Sequence, residues 1–144
     1  MDKFSKEKRS EIMSKIRSKD TSPELKVRKL VFSLGYRYRL HDKNLLGRPD
    51  LVFHERKKVI FIHGCFWHQH KDCALAQLPA SNLDYWKPKL ARTVERDKQQ
   101  IEALQRDCWD VLVIWECEIK QLKKLEETIR HFLGPAKTKT LTSV

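Results

Sequence analysis

From Ile60 to Cys73 the chain reads Ile-Phe-Ile-His-Gly-Cys-Phe-Trp-His-Gln-His-Lys-Asp-Cys, and no other stretch restricts the possible folds as tightly. Val59 to Ile62 is an apolar segment of strand length. It opens directly onto three of the six histidines and two of the four cysteines of the chain. A purely structural strand needs only its apolar residues, so a strand that empties into ligands and proton carriers reads as the approach to an active-site loop.

Cys65, His70 and Cys73 form a Cys-x4-His-x2-Cys cluster, and Cys117, just past a later apolar strand, is placed to return to it. Three thiolates and an imidazole make the closed tetrahedral set that structural zinc takes. His68 is an alternative to His70 in this set, and Cys108 is an alternative to Cys117. Met1 to Lys6 lacks the apolar centre of a secretory leader, and no apolar run reaches the roughly 20 residues of a spanning helix. The expected location is therefore cytoplasmic or nucleoid-associated, with no membrane partner. In such a reducing compartment a Cys and His cluster holds metal more often than disulfides.

The rest of the chain supplies a frame for this loop. Thr21-Ser22-Pro23-Glu24 has capping-box form, and Val27, Leu30, Val31 and Leu34 follow at helical spacing up to Gly35. Tyr36 to Leu40 alternates aromatic and basic residues and predicts a strand with one wet face. After the loop at 44–49, Leu51 to Phe53 and Lys58 to Ile62 predict an antiparallel pair that brings Asp50 opposite the His63 region, about 5 Å away. A long helix is predicted from Asn82 or Pro88 to Arg106, with Trp86, Leu90, Val94, Ile101 and Leu104 on one face. Asp97 shares that stripe, and a coreward carboxylate needs a partner. Val111 to Trp115 reads as a strand at the centre of a sheet, covered on both faces. Glu118 to Leu133 then predicts a helix with Leu122, Leu125, Ile129 and Phe132 inward.

This order predicts an α/β fold, a mixed sheet flanked by helices, of the kind found in restriction-endonuclease-like (PD-(D/E)XK-type) cores. At 144 residues the chain suits one domain. Its expected limits are residues 20–135, with a basic helix or arm at 1–19 and a disordered tail at 136–144.

Arg48-Pro49-Asp50 at the start of a strand, with a polar residue ending the next, is the skeleton of magnesium-dependent phosphodiester cleavage. Here the partner strand delivers His63 and then His68, either of which can act as a general base near neutral pH. A histidine base predicts a rate that falls below roughly pH 6.5. Phe66 and Trp67 lie in a polar loop, and Trp86, with Tyr85, lies at the start of the long helix; aromatics so placed can wedge between base steps. A formal charge of +11 and a pI of about 9.6 favour a polyanionic partner, nucleic acid first.

Taken together, Gly47-Arg48-Pro49-Asp50, His63-Gly64-Cys65-Phe66-Trp67-His68, Val94-Glu95-Arg96-Asp97 and Trp115-Glu116-Cys117 resemble the very short patch repair endonucleases of bacteria. The likeness runs from about Asp20 to Glu118. It implies a magnesium-dependent enzyme that nicks double-stranded DNA 5' of the thymine in a T:G mismatch left by deamination of 5-methylcytosine. Such an asymmetric substrate favours a monomer, and mismatch-repair proteins are candidate partners. Carried over, Asp50 and the backbone carbonyl of Ile62 would hold magnesium, while His63 and His68 would activate water and contact phosphate. Asp97 and Glu24 would support the site. Cys65, His70, Cys73 and Cys117 would hold zinc, and Phe66, Trp67 and Trp86 would insert beside the mismatch. The chain departs from the family pattern in having Ile62 where a threonine is common, and Lys71-Asp72 makes the zinc loop one residue longer. Two other readings fit the residues: a nickase of the same fold with another sequence or modification specificity, and a zinc-stabilised DNA-binding module without catalysis.

Overall fold

A computed structural model describes residues 21–136. The expected arm at 1–19 and the expected tail after Ala136 lie outside the described residues. Thr21 caps helix α1 (Ser22–Ser33) by accepting the Glu24 backbone N–H at 3.4 Å, and Pro23 occupies the first turn, where no N–H is required. Gly35 then leaves the helix at φ +97°, a left-handed conformation open to a residue without Cβ.

Strands β1 (Arg39–Leu40), β2 (Leu51–Phe53), β3 (Lys58–His63) and β4 (Asp110–Trp115) form one mixed sheet in the order β1-β2-β3-β4. The first two pairings are antiparallel and β3 with β4 is parallel. A parallel return needs a crossover, and α2 (Leu83–Arg106) provides it. Helix α3 (Leu122–Leu133) ends the fold. Among the described residues no helix is long and apolar enough to cross a membrane.

Two apolar clusters sandwich the sheet. On one face Val27 and Val31 of α1 meet Leu51, Phe53, Ile60, Ile114 and the α3 residues Leu125, Ile129 and Leu133. On the other, Val52, Val59 and Phe61 pack against Leu104 and Trp109, with Ile101 of α2 and Val111 and Val113 of β4 beside them. Successive strand residues point to opposite faces, so β2, with both faces covered by helices, is apolar throughout.

Five expectations need correction. β4 is not the sheet centre but its edge among the described strands; its apolar run serves the helices on its two faces. Only Arg39–Leu40 of the 36–40 segment makes ladder bonds, although the alternation persists, with Tyr36 buried and Tyr38 edge-on to Phe53 at 6.2 Å. The last helix is broken: residues 116–120 form a 3-10 turn, Gln121 adopts φ −112° and ψ 74°, and α3 restarts after it. Leu122, first in that new helix, is 53% exposed, and Leu133 takes the buried place at its far end. Val94 is likewise 41% exposed, and Asp97, three residues on, lines an open cleft.

Candidate active site

The cleft lies at the carboxyl end of β3 and is lined by His41, Asp50, Ile62, His63, His68, Arg96, Asp97 and Gln100 among others. Asp50 enters from the residue before β2. One of its oxygens, Oδ2, accepts the Ile62 N–H at 2.7 Å. Within an extended strand the N–H and C=O of one residue project to the same edge, so the Ile62 carbonyl stands on the Asp50 side of β3. A backbone carbonyl at this position is the same group whether the residue is isoleucine or threonine.

Glu24, only 2% exposed, reaches the same place from the first turn of α1. Its carboxylate is paired with Arg28 and with His41, whose Nε2 is 2.9 Å from Glu24 Oε2 and 3.8 Å from Asp50 Oδ1. Donor atoms of Glu24, His41 and Asp50 all lie within 4.8 Å of one another. Sequence alone does not single out His41, which belongs to no motif. Its signal is register: Leu40 pairs with Leu51, so the next position faces Asp50, and the His41 N–H donates to the Asp50 carbonyl at 3.4 Å.

The loop after β3 winds through successive turns, with His68 N–H donating to Gly64 O and His70 N–H to Cys65 O. Gln69, at φ 48°, ties this loop to the next by donating its amide to Phe66 O and Ala76 O. The winding returns His68 to His63 and His70 to Cys65. The His63 and His68 rings stack with centroids 3.8 Å apart. Asp97, from the middle of α2, meets His68 Nδ1 at 2.5 Å and so explains the polar residue in an otherwise apolar stripe. With Nδ1–H given to Asp97, the neutral ring keeps Nε2 as its basic nitrogen.

Burial acts on two of these groups in opposite directions. It raises the Asp50 carboxyl from its ordinary 3.8 to about 6, against the pull of the Ile62 N–H and the Arg28 charge. His63 is lowered from 6.5 to about 4 by burial first and by neighbouring His68 second, with Asp97 opposing. His63 is therefore neutral at physiological pH, and as a base it would place a rate limb near 4 rather than 6.5.

A separate cluster joins the ends of β3 and β4. Cys65, His70, Cys73 and Cys117 offer donor atoms within 4.8 Å of one another. His70 Nδ1 is 3.6 Å from Cys65 Sγ and 3.4 Å from Cys117 Sγ. Tetrahedral zinc with bonds of about 2.3 Å to sulfur and about 2.0–2.1 Å to nitrogen puts these atoms about 3.6 Å apart, so the donor set fits the metal. His68 turns to Asp97 instead, and Cys108 is exposed and outside the cluster, so His70 and Cys117 are the pair that converges. Within the loop between His70 and Cys73, Asp72 takes a left-handed φ of 57°.

Phe66, Trp67 and Trp86 come together, with ring centroids 5.3 to 5.8 Å apart and Tyr85 against Trp86 at 5.0 Å. Each of the three expected insertion residues stays partly exposed.

A family model described as DNA mismatch endonuclease Vsr matches residues 1–75. The type II nicking enzyme V.XorIIP of Xanthomonas oryzae pv. oryzae is 48% identical over 135 residues, covering 94% of this chain and 98% of its own length. V.NmeAIP of Neisseria meningitidis, also a type II nicking enzyme, is 42% identical, with 94% and 96% covered. The DNA mismatch endonuclease Vsr of Escherichia coli is 40% identical over 126 residues, 88% of this chain and 80% of its own. The fold, the cleft and these relatives define a DNA endonuclease. The chain belongs to the Vsr family of DNA mismatch endonucleases.

Proposed function

We propose that the protein is a magnesium-dependent nickase that cuts 5' of the thymine in a T:G mismatch, on a core of the PD-(D/E)XK type stapled by zinc. The observation that carries this reading is the meeting in one cleft of Asp50, which has the buried Glu24 carboxylate behind it, and a stacked histidine pair, His63 with His68, of which His68 is held by Asp97. A binding module has no use for such an arrangement.

Asp50 and the Ile62 carbonyl would hold the cation, and the hard oxygen donors suit magnesium. When bound, magnesium supplies positive charge against the scissile phosphate and the departing oxygen. His68 Nε2 takes the proton from the attacking water, and Asp97 keeps the ring oriented and offsets the charge it gains. His63, neutral and stacked on His68, hydrogen-bonds the phosphate. Cys65, His70, Cys73 and Cys117 hold zinc, which keeps the loop wound so that His68 faces His63. Phe66, Trp67 and Trp86 enter the helix beside the mispair, where unstacking costs least.

The competing reading is a nickase with a different target, favoured by the type II nicking enzymes among its relatives. The test compares nicking of labelled duplexes carrying T:G, T:A or C:G, with magnesium and with EDTA. The expected outcome is magnesium-dependent incision 5' of the thymine in the T:G duplex alone, abolished in Asp50→Ala while T:G binding persists. Equal cutting of all three duplexes would remove the mismatch specificity, and full activity in Asp50→Ala would overturn the cation assignment.

A further inference from the structure

His41 sits where two carboxylates from distant parts of the chain converge. Its Nε2 is 2.9 Å from Glu24 Oε2 and 3.8 Å from Asp50 Oδ1, and its backbone N–H is bonded to the Asp50 carbonyl. The residue adopts φ 45°, a left-handed conformation that a side chain bearing Cβ takes at some cost, and one that persists where the surroundings enforce it. The imidazole lines the cleft.

We propose that His41 is a positioning residue of the nicking site, holding Glu24 against Asp50 in the spacing at which Asp50 receives the catalytic cation. The inference rests on the reading of Asp50 as the cation ligand. The imidazole donates Nε2–H to Glu24, and that bond fixes the rotation of a carboxylate that Arg28 already holds from its own helix. Asp50 is fixed from the other side, since its Oδ2 accepts the Ile62 N–H. Its Oδ1 is left facing His41. Two carboxylates brought this close would repel each other before a cation arrives, and the N–H between them offsets that repulsion. Groups that orient metal ligands by hydrogen bonds typically change metal affinity by about 10- to 100-fold when removed.

The test uses the full chain with His41→Ala, His41→Gln and Asp50→Asn. A glutamine amide can place its N–H close to the position of Nε2, so it preserves the donor without the ring. Single-turnover nicking of the T:G duplex is followed across a magnesium titration, beside duplex affinity in EDTA and thermal unfolding. His41→Ala should need at least about tenfold more magnesium for half-maximal nicking, with duplex affinity and melting temperature near those of the parent, and His41→Gln should recover most of the difference. If alanine unfolds the segment, His41→Asn, whose amide stops short of Glu24, makes the same comparison. An unchanged magnesium requirement, or a defect that glutamine leaves uncorrected, would overturn the assignment. Asp50→Asn separates the two failures. If that variant still cuts, the cation reading itself is wrong; if it is inactive while His41→Ala matches the parent, only the positioning role falls.

Discussion

At the scale of single residues, the opposed shifts of Asp50 and His63 make stability depend on pH in a way that can be taken apart. A folded carboxyl raised to about 6 binds more protons than its unfolded form between about 4 and 6. Its contribution is therefore complete below about pH 4 and is lost as pH rises through 6. His63, lowered to about 4, binds fewer protons folded than unfolded; its contribution is complete above 6.5 and is lost as pH falls through 4. In cation-free protein the two slopes oppose each other between about pH 4 and 6. Asp50→Asn removes one of them, so its unfolding free energy should climb more steeply over that window than the parent's in denaturant titrations. Identical slopes in the two proteins would contradict the raised carboxyl. Gly47 shows a different residue-level demand: at φ +80°, an added Cβ would come within 2.9 Å of Gln100 Oε1, so glycine lets the loop before Asp50 dock on α2.

Among the elements, the loop between β3 and α2 is built from turns rather than a ladder, so under the proposed zinc assignment it is the element that would depend most on a bound metal. Cys65, His70 and Cys73 of the proposed zinc set come from this loop, and Cys117 follows β4. A metal there ties together the ends of two strands already paired from Lys58–Asp110 to His63–Trp115. Cys117→Ser should lose zinc measured by atomic absorption and lose stability on the order of 4 kcal/mol, as expected when a structural metal is removed. Cys108→Ser, altered at the exposed cysteine, should lose neither. Retained zinc in the first variant, or lost zinc in the second, would reverse the choice of fourth ligand.

For the whole molecule, charge governs the encounter with substrate. A formal charge of +11 should attract the duplex over a screening length of about 10 Å at 0.1 M salt. Nicking at low substrate concentration should therefore fall by at least about tenfold between 50 and 200 mM salt as phosphate contacts weaken, whereas the single-turnover rate at saturating enzyme should change little. A salt-independent second-order rate would argue against this electrostatic capture. Residue pattern by itself determined the helices after Thr21 and before Arg106, the antiparallel pair carrying Asp50 and His63, and a zinc-type Cys and His loop with two of its members left open. Those features are local, set by periodicity, caps, a hairpin and ligand chemistry. Only the tertiary structure decided that β4 lies at the sheet edge, that Val94 and Leu122 face solvent, and that His68 goes to Asp97 while His70 goes to the cysteines. An apolar strand looks the same whether strands or helices cover it, and a histidine two residues from another has the same local signal. His41 was hidden for a related reason: its importance comes from Glu24 on a helix and Asp50 across a hairpin, and only folding brings those carboxylates to one ring.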